Sequence, residues 1–237
     1  MSLPKHELAI VIVNYRTPQL VIDCLESFKE AITRLNAVVI IVDNCSGDNS
    51  TTVIEQWLQT QTMRTAYRLI KSEVNHGFAS GNNIGIQAVN ANYYLLLNSD
   101  TLIRADAIEV LLAFIKQQPD IGIVAPRLEW PDALAQESCF NFHTPISEFV
   151  SAAKTSIFSK MFRRFIVAQP VSDIVNLYDW VSFACVLINA KVFEEIGLLD
   201  EGYFMYFEDV EFCWRVKKIR LENCLPTLSA CSAFTRW

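Results

Sequence analysis

Short apolar runs and helix-spaced apolar positions alternate along the first 125 residues. Residues 8–13 (Leu-Ala-Ile-Val-Ile-Val) form one run, 37–42 a second and 93–97 (Tyr-Tyr-Leu-Leu-Leu) a third, with shorter candidates at 67–70 and 121–125. Runs this uniform suit strands buried on both faces, as in a parallel sheet covered by helices. Between them, Leu20, Val21, Cys24, Leu25 and Phe28 recur at helical spacing behind Thr17-Pro18, which offers an N-cap and an N1 proline. Ser50 is placed to cap a helix reaching Leu58. A further helix carries Ile84, Ile86, Ala88 and Val89, and another spans about 105–117. The alternation predicts an α/β fold with a mostly parallel central sheet and helices on both faces.

The strand ends carry the polar residues. The first run stops at Asn14-Tyr15-Arg16, the second at Asp43-Asn44 and the third at Asn98-Ser99-Asp100. Each alone reads as a turn, since Asn, Ser and Asp are ordinary turn residues. If the three strands lie side by side, their ends line one sheet edge, and the carboxyl ends of strands are where open α/β sheets bind ligands. A glycine-containing loop, Asn75-His76-Gly77-Phe78-Ala79-Ser80-Gly81-Asn82-Asn83, leads into the next helix and joins that edge.

Beyond residue 125 the pattern is less regular. Residues 149–165 set Lys154, Lys160, Arg163 and Arg164 among Phe158, Met161, Phe162 and Phe165. The segment reads either as an interfacial helix against anionic lipid or as a helix packed over the active face. Residues 180–188 are strand-like and 191–196 suit a short helix. Glu208 opens a helix with acidic residues in its first turn, Glu211 and Arg215 at i,i+4, and Lys217-Lys218 near its end. Glu208 and Asp209 either complement the helix dipole or supply a carboxylate ready to accept a proton.

Composition narrows the function classes. A net charge of −6 provides no basic field for nucleic acid. No apolar run approaches the roughly 18 residues of a membrane span, and the start lacks the basic and apolar regions of a signal peptide. A cytoplasmic protein is expected, with peripheral association at the inner face of a membrane left open. Seven cysteines are scattered without a Cys-x-x-Cys pair, which points to reduced, mostly buried thiols.

Taken in order, Ile12-Val-Asn-Tyr-Arg, Val42-Asp-Asn-Cys-Ser-Gly-Asp-Asn-Ser, Asn75-His-Gly-Phe-Ala-Ser-Gly-Asn-Asn, Leu96-Leu-Asn-Ser-Asp-Thr and Tyr206-Phe-Glu-Asp-Val-Glu-Phe-Cys-Trp-Arg resemble the family-2 glycosyltransferases of the GT-A fold, especially their rhamnosyltransferase-like branch. The resemblance covers nearly all of residues 8 to 219. It implies one GT-A-like domain, with a nucleotide-sugar-binding half over 1–125 and an acceptor and catalytic-base half over 126–237, the C-terminus reading as short.

By the same resemblance, Asn14 and Tyr15 border the nucleotide, and Asp43 bonds the base or ribose. Asn75, Gly77 and Asn83 shape the nucleotide-sugar pocket. Asn98-Ser99-Asp100 stands for the Asp-x-Asp motif, with Asp100 the carboxylate for a divalent cation, Mg²⁺ or Mn²⁺. Asp209 is the catalytic base and Glu208 its acidic neighbour. The implied reaction is inverting transfer from a nucleoside-diphosphate sugar, dTDP-rhamnose or a UDP-sugar, to a hydroxyl of a glycan or lipid-linked glycan in surface polysaccharide synthesis.

Two departures from the family pattern, together with the short C-terminus, support an alternative, a catalytically impaired nucleotide-binding or scaffold protein. Relatives place a histidine metal ligand after the strand that follows the Glu-Asp helix, and residues 223–237 contain none. Phe183 stands where relatives usually have glycine, so a phenyl ring is expected in the sugar pocket. A nucleotidyltransferase or a dehydrogenase fits less well, because no glycine-rich phosphate loop follows the first strand.

Overall fold

The structure, a computed structural model, describes residues 5–145, 147, 167–169 and 176–219, and the backbone of 222–225 and 232–235. The first half runs β1 (Lys5–Asn14), α1 (Pro18–Arg34), β2 (Ala37–Asp43), α2 (Ser50–Gln59), β3 (Tyr67–Lys71), α3 (Gly77–Gln87), β4 (Asn90–Asn98), β5 (Thr101–Ile103), α4 (Ala107–Gln117) and β6 (Ile121–Val124). Short strands follow: β7 (Arg127–Glu129), β8 (Cys139–Phe140), β9 (Asn176–Tyr178), β10 (Trp180–Val181) and β11 (Cys185–Asn189). Then come α5 (Ala190–Ile196), α6 (Glu208–Lys218), β12 (Glu222–Leu225) and β13 (Ser232–Thr235).

Eight strands make the main sheet in the order β3-β2-β1-β4-β11-β6-β12-β9. The four strands from β3 to β4 are parallel, whereas β11 runs antiparallel to both β4 and β6. Alternation along β1 shows why the apolar runs are continuous. Leu8, Ile10 and Ile12 face one core with α1, α2 and α4, and Ala9 and Val11 face another with α3, α5 and α6. Both faces are therefore covered, as the sequence pattern predicts. The α3 helix lies so close to β1 that a Cβ on Gly85 would sit 2.4 Å from the Val11 side chain.

Several local expectations are corrected. Ser50 is the first residue of α2 rather than its cap, and the amide of Ser50 is held instead by Asp48 Oδ1 at 2.9 Å. Thr17 occupies the N-cap position of α1 as expected, but its hydroxyl makes no capping bond and lies instead against Ser99 Oγ across the sheet edge. The stretch expected as a glycine loop is helical from Gly77 onward. The strand expected over 180–188 breaks into β10 and β11, with Phe183 in the break. After Asn98-Ser99-Asp100 the chain adds the short strand β5 to a second sheet, β5-β13-β7. The candidate helix at 149–165 lies outside the described residues. No helix among those described is long and apolar enough to cross a membrane. Cys24, Cys139, Cys185 and Cys213 are buried, and burial pushes Cys139 up to about 12.

Candidate active site at the strand ends

Register brings the three polar strand ends together. Asn14 pairs with Asp43 across β1 and β2, and Val13 pairs with Asn98 across β1 and β4. Asn14 is fully buried, and its Nδ2 donates to Asp43 Oδ1 at 2.6 Å and to Ser46 Oγ at 3.1 Å. Its Oδ1 accepts from the Thr17 amide at 3.2 Å. Ser46 Oγ donates to Asp43 Oδ1 at 2.6 Å, and the Ser46 amide donates to Asp43 Oδ2 at 3.2 Å. Both oxygens of this buried carboxylate are thus engaged by the protein. The net extends to β4 through the Thr17 and Ser99 hydroxyls, 3.2 Å apart. Arg16, in a left-handed conformation (φ 60°), donates from its amide to Ser46 Oγ and from Nε to Ser46 O. Tyr15 stays exposed beside it, with the Arg16 guanidinium 5.1 Å from its ring centroid.

Asp100, next to Ser99, is treated differently. Its Oδ1 is buried and has no hydrogen-bond partner among the described residues, and desolvation pushes its carboxyl above the ordinary value against bonds from Thr101 and its own amide. Asn98 is fixed through its backbone, the amide donating to Ala184 O at 2.9 Å. An unspent carboxylate oxygen at a strand end suits a cation that also meets phosphate oxygens and water, since Mg²⁺ and Mn²⁺ take few protein ligands in such sites.

The far wall is built by α6 and the loop before it. Asn44 Nδ2 donates to Gly77 O and Asn75 Oδ1, both at 2.9 Å, and the Gly77 amide donates to the same Asn75 oxygen. Gly77 has φ +92°, and a Cβ there would lie 2.0 Å from Phe204 O. The Phe78 amide donates to that oxygen at 2.9 Å. Only glycine permits this backbone approach, which pins the loop at Phe204 to the edge beside Asp43. Tyr206 and Phe207 then adopt left-handed conformations (φ 69° and 70°), costly for aromatic residues and typical of functional segments.

Glu208 and Asp209 follow in the first turn of α6. Glu208 is buried with Oε2 unpartnered, and burial and the neighbouring Asp209 both push its carboxyl up. Burial also raises Asp209, whose Oδ1 accepts from the Val210 amide at 2.8 Å. The Asn14–Thr17–Ser99 bonds tie the residue before Asp100 to the Asp43 net, and the Asn44–Gly77–Phe204 contacts hold the loop that leads to α6 beside it.

Two expected site residues take other positions. The Asn83 amide is spent on residues 199–201: Nδ2 donates to Leu199 O and Glu201 Oε1, both at 2.9 Å, and Oδ1 accepts from the Leu199 amide. It anchors that loop rather than lining a pocket. Phe183 is buried against Phe212, ring centroids 5.8 Å apart, so its phenyl group belongs to the core under α6 rather than to the sugar pocket. The sequence assigns no site role to Thr17, Asn44 or Ser46, because their roles depend on which strands become neighbours.

Comparison with known proteins decides the family. The family model described as glycosyl transferase family 2 matches residues 9–165. The chain belongs to this family. A curated relative, the low-salt glycan biosynthesis hexosyltransferase Agl10 of Haloferax volcanii, is 29% identical over 92% of this chain and 64% of its own length. The chain spans only 37% to 64% of the first curated relatives it matches. Among solved structures, GalNAc-T7 with UDP, GalNAc and Mn²⁺ superposes at a TM-score of 0.74 with 12% identity, covering 98% of this chain and 44% of that one. The mannosyltransferase PcManGT from Pyrobaculum calidifontis, with GDP-Man and Mn²⁺, gives 0.67 at 14% identity, covering 98% and 57%. The fold is that of the GT-A glycosyltransferases. The strand-end residues fall within, or at the edge of, the stretch that the family model matches.

Proposed function

We propose that this chain performs inverting transfer of a sugar from a nucleoside-diphosphate donor to a glycan hydroxyl. One observation carries the reading. On the edge where both oxygens of Asp43 are engaged by protein partners, Asp100 keeps a buried oxygen without a partner among the described residues. Residues 1–125 would hold the donor and 126–237 the acceptor and base. Asn14 and Asp43 would keep the strand ends in register, with Tyr15, Asn75, Gly77, Asn98 and Ser99 around the donor.

Asp100 would hold a divalent cation against the diphosphate. That ion would supply charge neutralisation for the leaving group. Asp209 would accept the proton of the attacking hydroxyl as the hydroxyl oxygen bonds to the anomeric carbon and the diphosphate departs from the opposite face. Its raised proton affinity makes it a better base than an exposed aspartate, provided it is ionised at the working pH. Glu208, buried beside it, is itself pushed up by burial and by the Asp209 carboxylate.

Burial of Phe183 against Phe212 weakens one ground for the impaired-protein alternative. The others concern residues 223–237, of which only backbone segments are described. Incubation with dTDP-rhamnose, UDP- and GDP-sugars and saccharide acceptors, with and without Mn²⁺, should release nucleoside diphosphate only with cation present. Equal release from Asp209→Asn would remove the proposed base.

A further inference from the structure

Residues 197–207 join α5 to α6 without a helix or strand of their own. They include Gly197 and Gly202, and every residue from Glu201 to Phe207 is exposed. A connection so open belongs to the low-stability end of a structure. It nevertheless ends on Glu208 and Asp209, and a misplacement of about 1 Å at a reacting group costs about a hundredfold in rate. Whatever holds these residues therefore bears on the chemistry.

The hold comes from α3. Its seat is firm, because a Cβ on Gly81 would lie 2.8 Å from the Val13 side chain, so the helix rests directly on β1. Asn83 is buried on α3, where an unsatisfied amide would be costly. Its side chain exchanges two hydrogen bonds with the backbone of Leu199, as one strand residue does with another. Nδ2 donates to Leu199 O at 2.9 Å, and Oδ1 accepts from the Leu199 amide at 3.1 Å. Nδ2 also donates to Glu201 Oε1 at 2.9 Å. An aspartate here would have no hydrogen to give to either acceptor when ionised. The Leu199 side chain is buried in the core shared by α3, α5 and α6, so clamp and core hold the same residue. Further along, Gly77 and Phe78 of the same helix meet Phe204 O. One helix thus grips the connection twice before α6 begins.

We propose that Asn83 is a positioning residue for Asp209, with Glu201 as its second grip. It touches neither sugar nor nucleotide, and it fixes where the connection enters α6. The assignment rests on the glycosyl-transfer reading above and adds to it a residue outside the pocket. Arg215 ties the other end: it donates to Ile196 O and Leu198 O while paired with Glu211 on its own helix. With both ends of the connection tied, a shift of residues 199–201 moves α6 instead of being absorbed by the loop. A clamp that served the fold alone would leave turnover per folded molecule untouched, and a donor-binding side chain would set donor affinity. The three roles therefore differ in kinetics.

Steady-state kinetics with Mn²⁺ and whichever of dTDP-rhamnose, UDP- and GDP-sugars wild type turns over test the role. The folded fraction is measured by denaturation, and nucleotide binding by thermal shift, on the same samples. Asn83→Ala should lower kcat per folded molecule about ten- to hundredfold and leave the donor KM and the nucleotide shift as in wild type. Glu201→Ala, a change at an exposed residue that serves if Asn83→Ala unfolds, should lower kcat about two- to fivefold. Glu201→Gln, whose side-chain oxygen still accepts from Nδ2, should restore it. The double alanine variant should be no slower than Asn83→Ala, since Glu201 acts through the amide already lost. Unchanged kcat per folded molecule in both alanine variants makes Asn83 a clamp for the fold and overturns the proposal. A raised donor KM or a weakened nucleotide shift in Asn83→Ala puts the residue in the donor pocket and overturns it equally. In either case turnover by wild type leaves the transfer reading standing. No turnover by wild type with any of these donors strikes that reading, and the positioning role falls with it.

Discussion

Two carboxylates stand on adjoining parts of one sheet edge and are treated in opposite ways. Asp43 accepts from Asn14, from the Ser46 hydroxyl and from the Ser46 amide, and holds β1, β2 and the following loop in register. Asp100 is partly buried with an oxygen that has no partner among the described residues, and buried Glu208 repeats the pattern. A satisfied carboxylate stabilises the fold. An unsatisfied one costs stability and is retained where a ligand completes it. The comparison separates the residues that build the edge from those left for chemistry.

Removing the base should give the largest effect on rate. Asp209→Asn should lower kcat/KM by about 10²–10⁴, measured as nucleoside diphosphate release with saturating cation, while the melting temperature at neutral pH stays level or rises. Asp43→Ala should do the reverse first. It removes three hydrogen bonds to a buried charge and should cost about 2–4 kcal/mol in chemical denaturation. If Asp43→Ala melted like wild type, the edge would not depend on that net.

Gly77→Ala sits between these two. The added Cβ meets Phe204 O, and the left-handed backbone strains any other residue, so a loss of about 1–3 kcal/mol is expected. Because Phe204 leads into Glu208 and Asp209, activity should fall further than stability explains, which denaturation and turnover measured on one sample would reveal.

Asp100→Asn should show the smallest effect on stability, and with the opposite sign. The folded-state carboxyl is raised, so its neutral form is favoured by folding: that stability is complete below the ordinary carboxylate value and is lost as pH rises through the higher folded value. At neutral pH, Asp100→Asn should therefore melt about 2–4 °C above ligand-free wild type, and the gap should close at acid pH. By the same reasoning, the acid limb of kcat/KM should lie above the ordinary aspartate value, because Asp209 must lose its proton to act. A limb at the ordinary value would contradict the burial of that group.

The sheet edge was legible because its signal is local. Each strand runs apolar until it stops at Asn14, Asp43 or Asn98, and parallel neighbours follow from the alternation with helices. Helix spacing likewise located α1, α4 and α6 to within a few residues. The small strands β7, β8, β9, β12 and β13 were not legible, since two to four residues carry no period and their partners are distant in sequence. The start of α3 was misplaced because glycine and asparagine signal turns, yet here Gly77 is chosen for its approach to Phe204. The division between Asp43 and Asp100 was also hidden. Both are aspartates at strand ends, and only the loop carrying Ser46 decides which one is already occupied.

The most direct measurement is the thermal shift of wild type, Asp100→Asn and Asp209→Asn with UDP, GDP and dTDP, each with and without Mn²⁺. The account predicts a nucleotide shift that needs Mn²⁺, disappears in Asp100→Asn and survives in Asp209→Asn. An identical shift with and without the cation, or one untouched by Asp100→Asn, would contradict it.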